Sequence, residues 1–204
     1  MRFFNEGNVD MKNKKLTTKE KILNTAWKLF LTQGYEETTV NQIIEESKTS
    51  RGSFYHHFQG KEDLLFCIAY FFDNDYTIWQ ENLDLSLNSI DKLLSFNSYV
   101  LKNLEESSYK QLYSVLYGLQ VMTKGTRHIL NPNRKYYKLI SELMKEGIDK
   151  GEIVSNLSYL ELTEMYAVIE RGFTYDWCLN QGRYSLVQYG TRIMTVFLDS
   201  LRTN

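Results

Sequence analysis

The sequence predicts an all-α fold in which a three-helix N-terminal domain precedes a larger helical domain. Three observations carry this prediction. A single proline in 204 residues leaves long stretches unbroken, which argues against the turn-dense pattern of a β-sandwich or barrel. Apolar residues recur at three-and-four spacing through most of the chain, the period of helices with one buried face. A composition that is 43% hydrophobic and 14% aromatic supplies a core without disulfides or metals. The expected division is a tail at 1–16, a first domain at 17–62 and a second domain at 63–204.

The elements follow in order. Residues 1–16 lack periodicity. Thr17-Thr18-Lys19-Glu20 then forms a capping box, in which the Thr17 hydroxyl and the Glu20 carboxylate each satisfy an orphan backbone N–H. The helix it opens turns Ile22, Leu23, Ala26, Trp27, Leu29 and Phe30 inward, and Gly34 supplies the left-handed residue that ends it. Thr39-Val40-Asn41-Gln42 repeats the cap and opens a helix of barely two turns, with Val40, Ile43 and Ile44 inward. After the link Lys48-Thr49, Ser50 caps a second short helix whose Phe54 and Phe58 face the core. Gly52, Ser53, Tyr55 and His56 lie off that apolar face, and Arg51 has no evident packing role. Two short helices joined by a tight link, the second with an unburied polar and aromatic face, make a helix-turn-helix.

Charge is uneven along the chain. With 24 Lys+Arg against 25 Asp+Glu the total is near neutral. Residues 12–28, however, carry Lys12, Lys14, Lys15, Lys19, Lys21 and Lys28 against Glu20 alone. Residues 47–61 add Lys48, Arg51, Lys61, His56 and His57 with no acid, while Glu36, Glu37, Glu45 and Glu46 fall between. A fold that gathers the basic stretches on one face makes a footprint for phosphate, and otherwise these are solvated helix faces.

The run Lys21–Leu65 contains Gly34-Tyr35, Thr38-Thr39-Val40, Ile43, Ser50-Arg51-Gly52, Phe54-Tyr55, His57-Phe58 and Lys61-Glu62-Asp63-Leu64-Leu65. In order and spacing it resembles the DNA-binding domain of the TetR family of transcriptional repressors. The turn departs from the family's Gly-Val-Ser and reads Lys48-Thr49-Ser50, so the helix exit must manage without glycine. The resemblance implies a homodimeric repressor that binds a palindromic double-stranded DNA operator and is released by a small molecule. It makes Thr39, Ser50, Arg51, Gly52, Ser53, Tyr55, His56, His57 and Lys61 the expected DNA-contacting residues. Helix N-termini at Thr39 and Ser50 suit phosphate oxygens, and Lys61 resembles the family lysine that grips a phosphate.

Beyond Leu65 the expected helices span 62–83, 89–106, 109–128, 134–150, 159–180 and 185–201, with Asn131-Pro132-Asn133 and Gly151 as breaks. Ser158-Tyr159-Leu160-Glu161 is a third capping box. In the last helix Leu186, Tyr189, Gly190, Ile193, Met194, Phe197, Leu198 and Leu201 form a broad apolar stripe, and Gly172 and Gly190 permit close helix crossing. A four-helix bundle of two copies buries that stripe in the resembled family, and packing within one subunit is the alternative. Tyr166, Glu170, Phe173 and Trp177 follow i, i+4, i+7, i+11, and Tyr109, Tyr113 and Tyr117 form a second aromatic stripe. If these line a cavity, aromatic faces with one carboxylate suit a lipophilic or aromatic cation. As core or dimer seam they need no ligand, with Glu170 then satisfied by a neighbouring Arg or Lys.

Catalysis is not expected. Three histidines, two of them adjacent, are too few for a metal site or a Ser/His nucleophile. Asp73 and Asp75 lack the glycine and closing glutamate of a calcium loop, and Lys124-Gly125-Thr126 lacks the start of a phosphate loop. No cofactor is expected. The isolated Cys67 and Cys178, and an N-terminus without an apolar signal region, lead to the expectation of a soluble cytoplasmic protein. A helical protein-interaction module using the same short helices for packing is an alternative reading, and a DNA-binding regulator that takes no small-molecule ligand is another.

Overall fold

The computed structural model describes residues 16–203. The expected tail thus lies, but for Leu16, outside the described residues. The chain is all-α: α1 (Thr18–Thr32), α2 (Val40–Ser47), α3 (Arg51–His57), α4 (Lys61–Glu81), α5 (Ser89–Glu106), α6 (Lys110–Met122), α7 (Lys135–Asp149), α8 (Tyr159–Leu179) and α9 (Leu186–Asp199). A 3-10 turn at His128–Leu130 precedes α7. The expected helix over 109–128 is shorter, because the stretch after Met122 is polar, contains Gly125 and ties its own backbone when Gly125 N donates to Thr123 Oγ1.

All three capping boxes form: Thr17 with Glu20, Thr39 with Gln42 and Ser158 with Glu161. Each satisfies two orphan donors and is worth about 1 kcal/mol to its helix. Gly34 takes the left-handed conformation after α1, at φ +98°.

The contacts divide the described residues into two compact units, 16–72 with Gln111–Ile129, and Asp73–Lys110 with 130–203. In the first unit α1 packs on α2 and α3. Its core joins Ile22, Ala26, Trp27 and Phe30 to Ile43, Phe54, Phe58, Leu64 and Leu65, all buried. Full burial of each such side chain contributes about 1.5–3 kcal/mol. Trp27 Nε1 donates to the Leu64 carbonyl at 2.8 Å, so the largest core ring also satisfies its polar atom.

In the second unit α5 packs on α9 and α7, and α8 packs on α7 and α9. Gly190 is where α9 crosses its neighbours: a Cβ there would lie 2.5 Å from Leu101 Cδ1 and 2.7 Å from Phe173 Cε2. The position of Gly172 instead meets open space. Arg134 forms a two-point ion pair with Asp73, Nη2 to Oδ1 at 2.8 Å and Nε to Oδ2 at 3.1 Å, with both side chains almost fully buried. Lys92 is likewise buried and paired with Glu146 at 2.8 Å. Among the described residues no helix is long and apolar enough to cross a membrane.

Candidate nucleic-acid interface

The turn between α2 and α3 is made by Lys48 in the left-handed region, φ 53° and ψ 44°. A lysine stands there in the place where the resembled family has a glycine, which takes this conformation at no steric cost. The reversal delivers Ser50 as the cap of α3, its Oγ accepting from Ser53 N at 3.0 Å and lying 2.9 Å from Ser53 Oγ. Phe54 and Phe58 then point into the core. Arg51, Gly52, Tyr55, His56 and His57 are exposed and Ser53 half-buried, so α3 turns a polar and aromatic face outward. Tyr55 keeps 52% of its surface in solvent while its ring edge meets Phe54 at 5.2 Å. The rings of His56 and His57 meet at 4.8 Å.

Thr39, also exposed, uses its hydroxyl within the α2 cap, accepting from Gln42 N at 3.2 Å. Arg51 does have a partner: its Nη2 donates to Asn41 Oδ1 at 2.7 Å, joining the first turns of α2 and α3. Lys61 is only partly open. Its ammonium donates to the carbonyls of Tyr35 at 2.9 Å and Glu36 at 3.1 Å and sits 4.4 Å from the centre of the Tyr35 ring. Two of its three donors therefore fasten the loop after α1 to the start of α4, and the Glu36 carboxylate lies 4.0 Å from the same ammonium.

In the second unit Tyr166, Glu170, Phe173 and Trp177 all lie on the buried side of α8. Glu170 is satisfied by neither Arg nor Lys. Asn97 Nδ2 donates to its Oε2 at 2.7 Å and the Tyr136 hydroxyl to its Oε1 at 2.8 Å, so two neutral donors hold a carboxylate whose charge has no directly bonded cation. Burial pushes its pKa up to about 7, opposed by those hydrogen bonds and by Arg171 and Arg134 farther off. Asn97 Oδ1 is buried without a partner. Tyr166 donates to the Leu93 carbonyl at 3.3 Å and Trp177 Nε1 to the Tyr184 carbonyl at 2.9 Å. The second aromatic stripe divides: Tyr109, buried, precedes α6 and belongs to the second unit, whereas Tyr113 and Tyr117 belong to the first. Tyr113 meets Phe72 there at 5.7 Å.

The expected dimer stripe also divides. Leu186, Gly190, Met194 and Leu201 are buried within their own subunit and have no surface to offer a second copy. The reason is the period: Leu186, Gly190, Met194 and Leu198 occupy the i, i+4, i+8, i+12 line that faces α5 and α8. Tyr189 and Val196 are exposed on the other side, with Ile193 and Phe197 half-buried. α8 has a matching open face, Leu160, Met165, Val168, Gly172, Tyr175 and Leu179.

Asn41, Asn97 and Tyr136 were not singled out from sequence. Asn97 carried a signal, a polar residue among Leu93, Phe96, Val100 and Leu101 on the buried stripe of α5. Asn41 and Tyr136 carried none, because their partners are brought to them only by the fold.

A short helix pair with a left-handed turn and an outward polar face defines the class, a helix-turn-helix protein. Residues 22–68 match the family of bacterial regulatory proteins, tetR family. The match lies within the N-terminal helical segment, which is similar to that family. It is 40% identical over 89 residues to an uncharacterized HTH-type transcriptional regulator in the lacX 3' region of Lactococcus lactis, a match covering 44% of this chain. The match spans about two fifths of that relative, 41% of its length. Two solved structures share the fold. The Thermus thermophilus FadR repressor in complex with lauroyl-CoA superposes with a TM-score of 0.72 at 16% identity, covering 91% of this chain and 96% of that one. The Bacillus subtilis FadR in complex with stearoyl-CoA gives 0.69 at 18% identity, covering 89% and 98%.

Proposed function

We propose that the chain is a transcriptional repressor that binds a palindromic DNA operator as a homodimer and is released by a small molecule. The observation that carries this reading is the α3 face, where Arg51, Gly52, Ser53, Tyr55 and His56 point away from a core anchored by Phe54 and Phe58. On such a helix the first-turn residues read base edges while the caps and Lys61 approach phosphates. Two copies place two recognition helices about 34 Å apart, one helical turn of DNA, or farther apart if two dimers share a site. The open faces of α8 and α9 serve as the dimer seam, which narrows the expected interface to Tyr189, Ile193 and Phe197 with Val196 and the α8 stripe. Selection of bound sequences from random duplexes tests the reading. A half-site repeated as a palindrome is expected, with affinity falling steeply as salt rises. A mobility shift that stays negative at low salt overturns it and favours a protein-interaction module.

For the effector, a cavity opening beside Glu170, Tyr136, Tyr166 and Phe173 would suit a lipophilic cation, by cation–π attraction and charge pairing of ~1 to 2 kcal/mol each. The ligand acts by binding the DNA-free form better than the DNA-bound one, since equal affinity shifts nothing. Cationic dyes should release the DNA and the Glu170→Gln variant should resist them. Release by acyl-CoA or other anionic lipids and not by cations, or unchanged cation release in Glu170→Gln, rejects the cation assignment.

A further inference from the structure

We propose that Asn41 is a positioning residue for base readout: it holds the Arg51 guanidinium in the plane from which Arg51 recognises a guanine. The proposal rests on the DNA-binding reading above and adds to it a residue outside the expected contact set.

The two side chains stand on different helices, Asn41 in the first turn of α2 and Arg51 at the first position of α3, and both are exposed. Their bond, Nη2 to Oδ1 at 2.7 Å, uses one of the five N–H groups of the guanidinium. Four donors remain. An unheld arginine samples many rotamers, and that freedom is lost when it meets a base edge with both nitrogens. A partner on a neighbouring helix removes part of the loss beforehand and fixes which edge of the fork is presented.

The chemistry of the partner matters as much as its position. An aspartate at 41 would accept the same bond but neutralise the charge, weakening attraction to DNA. The asparagine oxygen orients the guanidinium and leaves its charge intact. No ion pair to Arg51 occurs among the described residues, so the cation remains available to guanine O6 and N7. The Lys48 turn brings the two first turns together, which is why residues ten apart in sequence can bond.

The test uses the full chain and a duplex selected by it from a random pool. Binding by wild type, Asn41→Ala, Arg51→Ala, the double variant and Asn41→Asp is measured on that duplex and on single base-pair substitutions, at two salt concentrations. Arg51→Ala should abolish preference at one G·C pair per half-site. Asn41→Ala should reduce preference at the same pair about tenfold, and the double variant should match Arg51→Ala. Asn41→Asp should keep the preference while weakening binding to every sequence. A merely structural role lowers affinity for all duplexes alike, and a direct base contact by Asn41 changes a different pair or adds to Arg51→Ala; either result overturns the proposal, as does unchanged preference in Asn41→Ala. Failure of the wild type to select any sequence is a separate result, which rejects DNA binding itself and the proposal with it.

Discussion

Lys48 adopts a backbone conformation in which the Cβ of an L-residue crowds the following carbonyl, at a cost of roughly 1–2 kcal/mol. Glycine removes that cost but is more flexible when unfolded, which returns about 0.5–1 kcal/mol. Lys48→Gly should therefore stabilise the chain by about 0.5 kcal/mol, and Lys48→Val, β-branched, should destabilise it by about 1 kcal/mol or more. Urea midpoints at unchanged slope give the order Gly above Lys above Val. Glu170 gives a second prediction at this scale. Its folded pKa of about 7 stands above the ordinary 4.5, so the folded state binds the extra proton between those values. The linkage contribution is then fully present below pH 4.5 and is lost as pH rises through 7, by at most about 3 kcal/mol. Stability of the wild type should fall between pH 5 and 8 relative to Glu170→Gln, whose profile lacks this slope. Parallel profiles would show that Glu170 stays ionised when folded.

At the scale of elements, the crossing of α9 with α5 and α8 depends on a missing side chain. Gly190→Ala sets a methyl 2.5 Å from Leu101 and 2.7 Å from Phe173, and relieving that overlap should cost about 1–3 kcal/mol in a urea titration. Glycine inside a helix is otherwise unfavourable by roughly 0.5–1 kcal/mol relative to alanine, so the sign of this change is the informative result. A neutral or stabilising Gly190→Ala would mean that the helices can separate at no cost. In the first unit the corresponding connection is polar: Lys61, its side chain 26% exposed, bonds two carbonyls of the loop that follows α1. The resemblance gives Lys61 a phosphate role, and its anchoring of the Tyr35–Glu36 loop becomes visible only once that loop is folded against it.

For the whole molecule the question is which apolar surface the subunit buries itself and which the proposed dimer would cover. Met194 is fully buried, whereas Val196, two residues on, keeps 75% of its surface exposed. Met194→Asp should unfold the subunit by burying an uncompensated charge. Val196→Asp should leave helix content and melting of the subunit intact while converting dimers to monomers in sedimentation. Dimers that persist in Val196→Asp would place the interface on another face. An open apolar stripe shared by two adjacent helices is the kind of surface that monomers rarely retain.

The class of fold, the helix starts and the helix-turn-helix were legible in sequence because each rests on local chemistry. The capping boxes at Thr17, Thr39 and Ser158 are satisfied within four residues, and the inward rows of α1 and α3 follow from 3.6 residues per turn. Periodicity also identified the apolar stripe of α9, but one helix cannot say which of two apolar sides meets its own subunit. Only packing against α5 and α8 decided that Leu186, Gly190 and Met194 face inward and Tyr189 and Val196 outward. The same limit holds for polar partners. Asn41 is ten residues from Arg51, Tyr136 is 34 from Glu170 and Asn97 is 73 from Glu170. A side chain's type sets what it can bond, and tertiary structure, by closing those separations, decides what it does bond.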